Sequence, residues 1–142
     1  MKKIYYILFI CLVMASCSEV GYDDNYFIKN DLRYPVTVSR YDNNNICDTI
    51  IVETHETVLY LSVSGFGSSP FDDDINTVCI TQNVFIINDT ISVTYKPTDT
   101  YDKNPCMTHS WKILEEDSKK KQTSHKVLYT ITEEDYQNAL SR

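Results

Sequence analysis

Thr57-Val58-Leu59-Tyr60-Leu61-Ser62-Val63-Ser64 is the segment that decides the fold class of this chain. Its even-numbered residues alternate with Leu59, Leu61 and Val63, and a period of two places neighbouring side chains on opposite faces of a β-strand. β-Branched and aromatic residues, which pack well on a pleated surface, are frequent in the segment. The segment therefore predicts a strand.

Segments of this type recur roughly every 8–14 residues, with turn-forming residues between them and no helix of ordinary length. Such spacing is typical of an antiparallel sheet rather than of alternating strands and helices. We therefore predict an all-β fold, an antiparallel β-sandwich of about 7–9 strands, with an immunoglobulin-like arrangement as the leading candidate. The predicted strands are 26–28, 36–41, 46–53, 57–64, 76–82, 84–87, 90–96, 111–115 and 126–131.

The C-terminus has a different pattern. Thr132 precedes the acidic run Glu133-Glu134-Asp135, and Tyr136, Ala139 and Leu140 follow at helical spacing. Threonine is a favoured N-cap residue, and acidic side chains stabilise the positive end of a helix dipole. The pattern predicts a short C-terminal helix that packs Tyr136, Ala139 and Leu140 onto the sheets.

The N-terminus has the layout of a signal sequence. Two lysines precede the uncharged apolar stretch 4–13, and the small residues Ala15 and Ser16 then precede Cys17. An apolar stretch of about ten residues matches a signal peptide and is shorter than the roughly 20 residues that span a bilayer. Cleavage before Cys17 would leave that cysteine as the first residue of the mature chain.

This N-terminus resembles the lipobox of bacterial lipoproteins, although Met14 stands where that family usually has leucine. The resemblance implies acyl chains on Cys17 and a membrane anchor through them, because several acyl chains hold a protein on a bilayer where one does not. Ser18 is compatible with the outer membrane, facing either the periplasm or the cell surface. We divide the chain into a signal peptide (1–16), an acidic tether (17–25) and one β-domain (26–142).

The layout also resembles small Bacteroidetes lipoproteins of unknown function, chiefly through the ending Tyr129-Thr130-Ile131-Thr132-Glu133-Glu134-Asp135-Tyr136. That family has no known active site to carry over. Asp-Thr-Ile at 48–50 and 89–91 resembles the O-glycosylation acceptor of the same lineage, which would make Thr49 and Thr90 glycan carriers. The alternative is that aspartate and threonine simply begin strands after turns.

The formal charge is −7, and removal of residues 1–16 shifts it to −9 because only lysines are lost. A nucleic-acid reader needs a basic face to displace counterions from phosphates, so the sequence predicts no nucleic-acid partner. The simplest consequence of the acidic balance is solubility.

Three cysteines remain in the domain: Cys47, Cys79 and Cys106. The envelope is oxidising, so one pair among them can form a disulfide, and the sequence does not choose the pair. The alternative is that all three are unpaired, buried thiols that pack as small apolar residues. Cys106 and His109 have ligand-like spacing, but a zinc site needs further ligands.

No catalytic motif stands out. The chain has no Gly-x-Ser-x-Gly elbow, no phosphate loop and no zinc-protease helix around His55. We therefore predict no catalytic residue, no cofactor and no metal site. Tyr95, Tyr101 and Trp111, which flank the loop 96–110, are the aromatic residues best placed to stack on a sugar or anchor a partner.

These observations favour a non-enzymatic binding module, lipid-anchored through Cys17 in the cell envelope, with an unidentified protein or glycan as its partner. A glycan-binding accessory lipoprotein and an inhibitor or immunity-type protein are the alternatives, and a small hydrolase is the weakest hypothesis. An exposed aromatic platform would support glycan binding, whereas salt-sensitive association with a basic partner would support an inhibitor.

Overall fold

A computed structural model describes residues 20–67, 69, 81–119 and 122–142. These residues form eight strands in two four-stranded sheets and one short C-terminal helix, which confirms the predicted β-sandwich class. The strands are β1 Gly21–Asn30, β2 Val36–Asp42, β3 Asn45–Val52, β4 Thr57–Phe66, β5 Gln82–Ile87, β6 Ile91–Tyr95, β7 Lys112–Lys119 and β8 Gln122–Ile131, and the helix is α1 Glu133–Leu140.

Sheet A has the strand order β4-β1-β8-β7, and sheet B has the order β3-β2-β5-β6. All neighbouring strands are antiparallel except β1 and β8, which run parallel in the middle of sheet A. The first strand thus lies between the fourth strand and the last one. An immunoglobulin domain instead places its first strand at a sheet edge beside the second, so the strand order here differs from that arrangement.

The core lies between the two sheets and is rich in aromatic residues. The Trp111 ring meets Tyr26 edge-on at 5.3 Å and Tyr60 nearly in parallel at 6.0 Å. Phe85 of sheet B contacts Tyr129 of sheet A edge-to-face at 6.1 Å, so ring packing crosses from one sheet to the other. Buried aromatic side chains remove large apolar areas from water, and these contacts hold the two sheets together.

Strand β1 begins earlier than the sequence predicts. Residues 21–25, which the sequence assigns to an acidic tether, pair on one side with β4 and on the other with β8. Asp24 is in phase with Tyr26 and Ile28, and it is fully buried. The polar sequence of residues 21–25 did not indicate a strand, because the side chains that hydrogen-bond Asp24 in the interior are distant in sequence.

Strand β4 extends through Gly65 and Phe66, two residues beyond the predicted strand 57–64. A Cβ atom at Gly65 would lie 2.8 Å from the Tyr22 hydroxyl oxygen of the neighbouring strand, so only glycine fits beside this ring without a shift. The predicted strand 76–82 falls outside the described residues except at its last two positions. The existence of a strand at 76–82 therefore stays a prediction.

The C-terminal helix begins as predicted. Thr132 is extended and immediately precedes α1, and the Asp135 carboxylate accepts a hydrogen bond of 2.8 Å from the Thr132 N–H. Ala139 is buried and Tyr136 packs beside Tyr34 at 6.2 Å between ring centroids. Leu140 is 54 % exposed, so its predicted packing onto the sheets is wrong.

Candidate functional site

A buried polar cluster links β1, β8 and the segment after β4. Asp24 and His125 are direct neighbours in the parallel pair, and His125 Nδ1 lies 2.8 Å from Asp24 Oδ1. The Ser69 hydroxyl donates a hydrogen bond of 2.5 Å to Asp24 Oδ2. All three side chains are almost completely removed from solvent. One carboxylate thus ties together two central strands and a connecting segment.

The chemistry of this cluster follows from the position of the carboxylate. In a serine hydrolase relay the histidine lies between the acid and the serine, so that it can take the hydroxyl proton. Here the serine and the histidine each bond a different oxygen of Asp24. Together with the burial, this arrangement suits a structural role in which Asp24 joins the three segments. A buried carboxylate needs hydrogen-bond donors on both oxygens, and Ser69 and His125 provide them.

A second polar group lies between the sheets. The Tyr60 hydroxyl donates a hydrogen bond of 2.6 Å to Asn83 Oδ1, which joins β4 of sheet A to β5 of sheet B. Burial raises the pKa of the Tyr60 hydroxyl well above its usual value of 10.0, so the hydroxyl remains a donor at alkaline pH values that ionise an exposed tyrosine. The Arg40 guanidinium stands 5.9 Å from the Tyr60 ring centroid. The contact adds a cation–π attraction at this end of the core.

A third network joins the helix to the long loop before β7. The fully buried Asp135 carboxylate accepts a hydrogen bond of 2.6 Å from the Tyr129 hydroxyl and forms an ion pair with Lys103. Lys103 also donates to the Thr132 hydroxyl oxygen at 2.7 Å. Burial and the nearby Asp135 raise the pKa of Tyr129 well above its usual value. The network therefore fixes loop and helix on β8.

The outer face of sheet B differs from these interior groups. The four strands place eleven side chains on it, and none of them carries a charge. The cross-strand registers define three rows, of which the first contains the exposed Ile51 beside Thr37, and the third contains the exposed Ile46 beside Tyr41. The face comprises Ile46, Thr49 and Ile51 on β3, Thr37, Ser39 and Tyr41 on β2, Gln82, Val84 and Ile86 on β5, and Ser92 and Thr94 on β6.

The outer face of sheet A provides a contrast. It has an apolar row in which Phe27 pairs with Leu59 on one side and Leu128 on the other. Charged residues surround that row, including an exposed ion pair of 2.5 Å between Lys126 and Glu115. The other charged residues of this face are Asp23, Lys29, Lys112, Asp117 and Lys119. In a chain with a formal charge of −7, the uncharged face of sheet B is therefore distinctive.

The cysteines are resolved in part. Cys106 is fully buried and disulfide-bonded, whereas Cys47 on β3 is exposed with a free thiol. The partner sulfur of Cys106 therefore lies outside the described residues, as does Cys79. Because its sulfur is in a disulfide, Cys106 is not a thiolate ligand beside His109. Cys17 also lies outside the described residues.

The two threonines predicted as glycan carriers are both exposed. Thr49 lies on the outer face of sheet B, 3.0 Å from the Ser39 hydroxyl oxygen, and Thr90 lies in the turn between β5 and β6. The aromatic residues singled out from the sequence form no exposed platform. Trp111 and Tyr95 are buried, and Tyr101 is half-buried with its ring centroid 6.0 Å from that of Tyr95.

The sequence analysis did not predict the buried polar clusters, although the strand pattern contains an indication of the Asp24–His125 cluster. His125 is in phase with Val127, Tyr129 and Ile131, and Asp24 is in phase with Tyr26. A polar residue in phase with a buried face indicates an inward-facing polar group. The pairing of Asp24 with His125 across a hundred residues of chain is set only by the parallel strand register.

Comparison with known proteins finds no matching family model, no matching curated protein and no matching solved structure. Within the described ranges, no three histidine, cysteine or acidic side chains are grouped so that they would hold a metal ion. Over the same residues, no helix has the length and apolar character needed to cross a bilayer.

Proposed function

We propose that this chain is a lipid-anchored lipoprotein of the cell envelope that acts as a non-enzymatic binding module and receives a protein partner on the outer face of sheet B. The uncharged character of that face is the observation that carries the proposal. The buried centre of a protein interface is depleted in charged residues, since a charge that loses its water must find a new partner.

The partner expected on this face is a protein with an uncharged, partly apolar surface. Ile46 and Ile51 are 61 % and 58 % exposed on the edge strand β3, and they supply apolar area at the border of the face. The hydroxyl groups of Thr37 and Thr49 supply neutral hydrogen-bonding groups beside them. A charged or strongly acidic partner surface would gain nothing here to offset its desolvation.

Glycan binding receives less support. Stacking on a sugar needs an aromatic ring with an open face. All nine tyrosines from position 22 onward lie in described positions, and each is buried or half-buried. Among the described aromatic residues only Phe66 is exposed, and one isolated ring does not form a platform. The inhibitor hypothesis depends on the acidic net charge of the molecule. The salt dependence of binding therefore distinguishes it from our proposal. Association through an uncharged face is insensitive to ionic strength, whereas association through an acidic surface weakens as salt screens it.

The docking proposal is tested by photo-cross-linking in intact cells. A photoreactive residue is placed at Ile51 in one variant and at Leu59 in a matched control, because Leu59 is 48 % exposed on β4, the corresponding edge strand of sheet A. We expect a discrete adduct from position 51, and we expect its loss when Val84→Lys introduces a charge on the same face. Equal adducts from both positions would contradict the proposal.

The anchor is tested separately by labelling with acyl precursors. The wild-type chain should carry label and partition with membranes, and Cys17→Ala should carry none. A labelled Cys17→Ala variant would refute the anchor and leave the docking test unaffected.

A further inference from the structure

All four strands of sheet A have one terminus in the same row, at one end of the sheet. Phe66 of β4 pairs with Gly21 of β1, Gly21 pairs with Gln122 of β8, and Gln122 pairs with Lys119 of β7. We refer to Phe66, Gly21, Gln122 and Lys119 as the terminal row. This row is the part of the sandwich at which the chain enters its first strand.

The terminal row carries unusual apolar exposure. Phe66 is 79 % exposed, more than any other large apolar side chain among the residues described, and Val20 beside the row is 50 % exposed. The Gly67 N–H donates a hydrogen bond of 2.7 Å to the Val20 carbonyl oxygen, so the two segments are held together. Two apolar side chains therefore project from one corner of an otherwise acidic protein.

The distance from the proposed lipid to this corner is short. Val20 is the third residue after Cys17. An extended chain spans at most about 3.3–3.6 Å per residue, so the two Cα atoms are separated by no more than about 11 Å. With acyl chains on Cys17, this bound keeps Val20, and the β1 end of the terminal row, near the lipid headgroups.

From these observations we infer that the terminal row rests on the bilayer, with the side chains of Phe66 and Val20 inserted into the interfacial region. The inference rests on the proposed anchor at Cys17. Aromatic and aliphatic side chains gain free energy by leaving water at the headgroup boundary. Lys119, which is 80 % exposed at the other edge of the row, is placed to reach lipid phosphates with its ammonium group.

Charge alone does not drive this contact. Lys119 forms an exposed ion pair of 2.9 Å with Asp117, and Asp23 lies nearby on the same face of sheet A. One lysine against two aspartates leaves no excess of positive charge among these described side chains, so the contact depends on the apolar side chains. We expect it to form on zwitterionic phosphatidylcholine and to need no anionic lipid.

The opposite end of the same strands then points away from the membrane. Thr57 begins β4 and pairs with Lys29, eight residues along β1 from Gly21. At about 3.3 Å per residue, that position lies roughly 26 Å from the terminal row. Thr57 is exposed and lies on the same strand as Phe66, so it is a matched control position.

The test uses the lipidated mature protein in phosphatidylcholine vesicles whose acyl chains carry bromine, a quencher of tryptophan fluorescence. Phe66→Trp, Val20→Trp and Thr57→Trp are compared, and the buried Trp111 contributes the same background to each. We expect the emission added at positions 66 and 20 to be largely lost in brominated vesicles, and the emission added at position 57 to be retained.

Unquenched emission at positions 66 and 20 in a protein that carries its acyl chains would overturn the inference while leaving the anchor intact. Equal quenching at all three positions would also overturn it, because the domain would then lie on its side. Absence of acyl chains on Cys17 would instead be a failure of the proposed anchor. Retained far-ultraviolet circular dichroism shows that each variant is folded.

Discussion

Replacement of Asp135 by alanine tests the network that holds helix α1 and the long loop on sheet A. The carboxylate is fully buried and accepts hydrogen bonds from the Tyr129 hydroxyl at 2.6 Å and from the Thr132 N–H at 2.8 Å, in addition to its ion pair with Lys103. Asp135→Ala removes all three interactions at once. We expect a large loss of stability with the strands retained.

The size of the stability loss depends on which hydrogen bonds the partners of Asp135 retain after the substitution. The Tyr129 hydroxyl retains the Lys103 carbonyl at 2.9 Å, and the Lys103 ammonium retains the Thr132 hydroxyl oxygen at 2.7 Å and is 23 % exposed. The loss of hydrogen bonds to a charged group costs about 1.5–3 kcal/mol, and loss of the N-cap interaction costs about 1 kcal/mol. The expected total is about 3 kcal/mol, which corresponds to a melting temperature lower by about 12 °C.

The assay is urea unfolding followed by circular dichroism, together with a thermal melt. Asp117→Ala is the matched control, because it removes a carboxylate from an ion pair whose side chains are 50 % and 80 % exposed. We expect that control to change the free energy of unfolding by less than about 0.5 kcal/mol. A loss of less than about 1 kcal/mol for Asp135→Ala would refute the view that the network holds the helix and loop.

Two further predictions concern pH and the cysteines. Burial raises the pKa of Tyr60 and Tyr129 above the unfolded value of 10.0, so the folded state holds protons that the unfolded chain releases, and stability falls as the pH rises past about 10. Absorbance at 295 nm should show these tyrosines ionising only as the fold is lost, and their titration in folded protein would contradict the burial argument. Mass spectrometry of a non-reduced digest should link Cys106 to Cys79, and a thiol reagent should label Cys47 in the folded protein. A link from Cys106 to Cys47 would contradict both expectations.

The strand pattern was readable from the sequence because it is local. Alternation at Thr57–Phe66 arises from side chains that point to opposite faces of one strand, and the threonine before α1 caps the helix through its own neighbours. The edges of the strands were less readable. Asp24 looked like part of a solvated tether, since the residues that make its burial tolerable stand at positions 69 and 125.

The uncharged face of sheet B could be predicted only in part, because its strands were predictable but their arrangement side by side was not. Its residues come from four strands, and each strand separately shows only an ordinary mixture of Thr, Ser, Ile and Val. The absence of charge becomes visible only when the registers place Ile51 beside Thr37 and Thr37 beside Ile86. The same is true of the terminal row, where Phe66 and Gly21 meet although 45 positions separate them in the sequence.

The sequence by itself determined the fold class, the single C-terminal helix with its cap, and the expectation of an anchor at Cys17, since each depends on short-range patterns in the chain. The tertiary structure decided the parallel pairing of β1 with β8, the carboxylate ties at Asp24 and Asp135, and the charge-free face of sheet B. These features depend on which strands become neighbours. Strand order is set by how the whole core packs, and no local pattern specifies it.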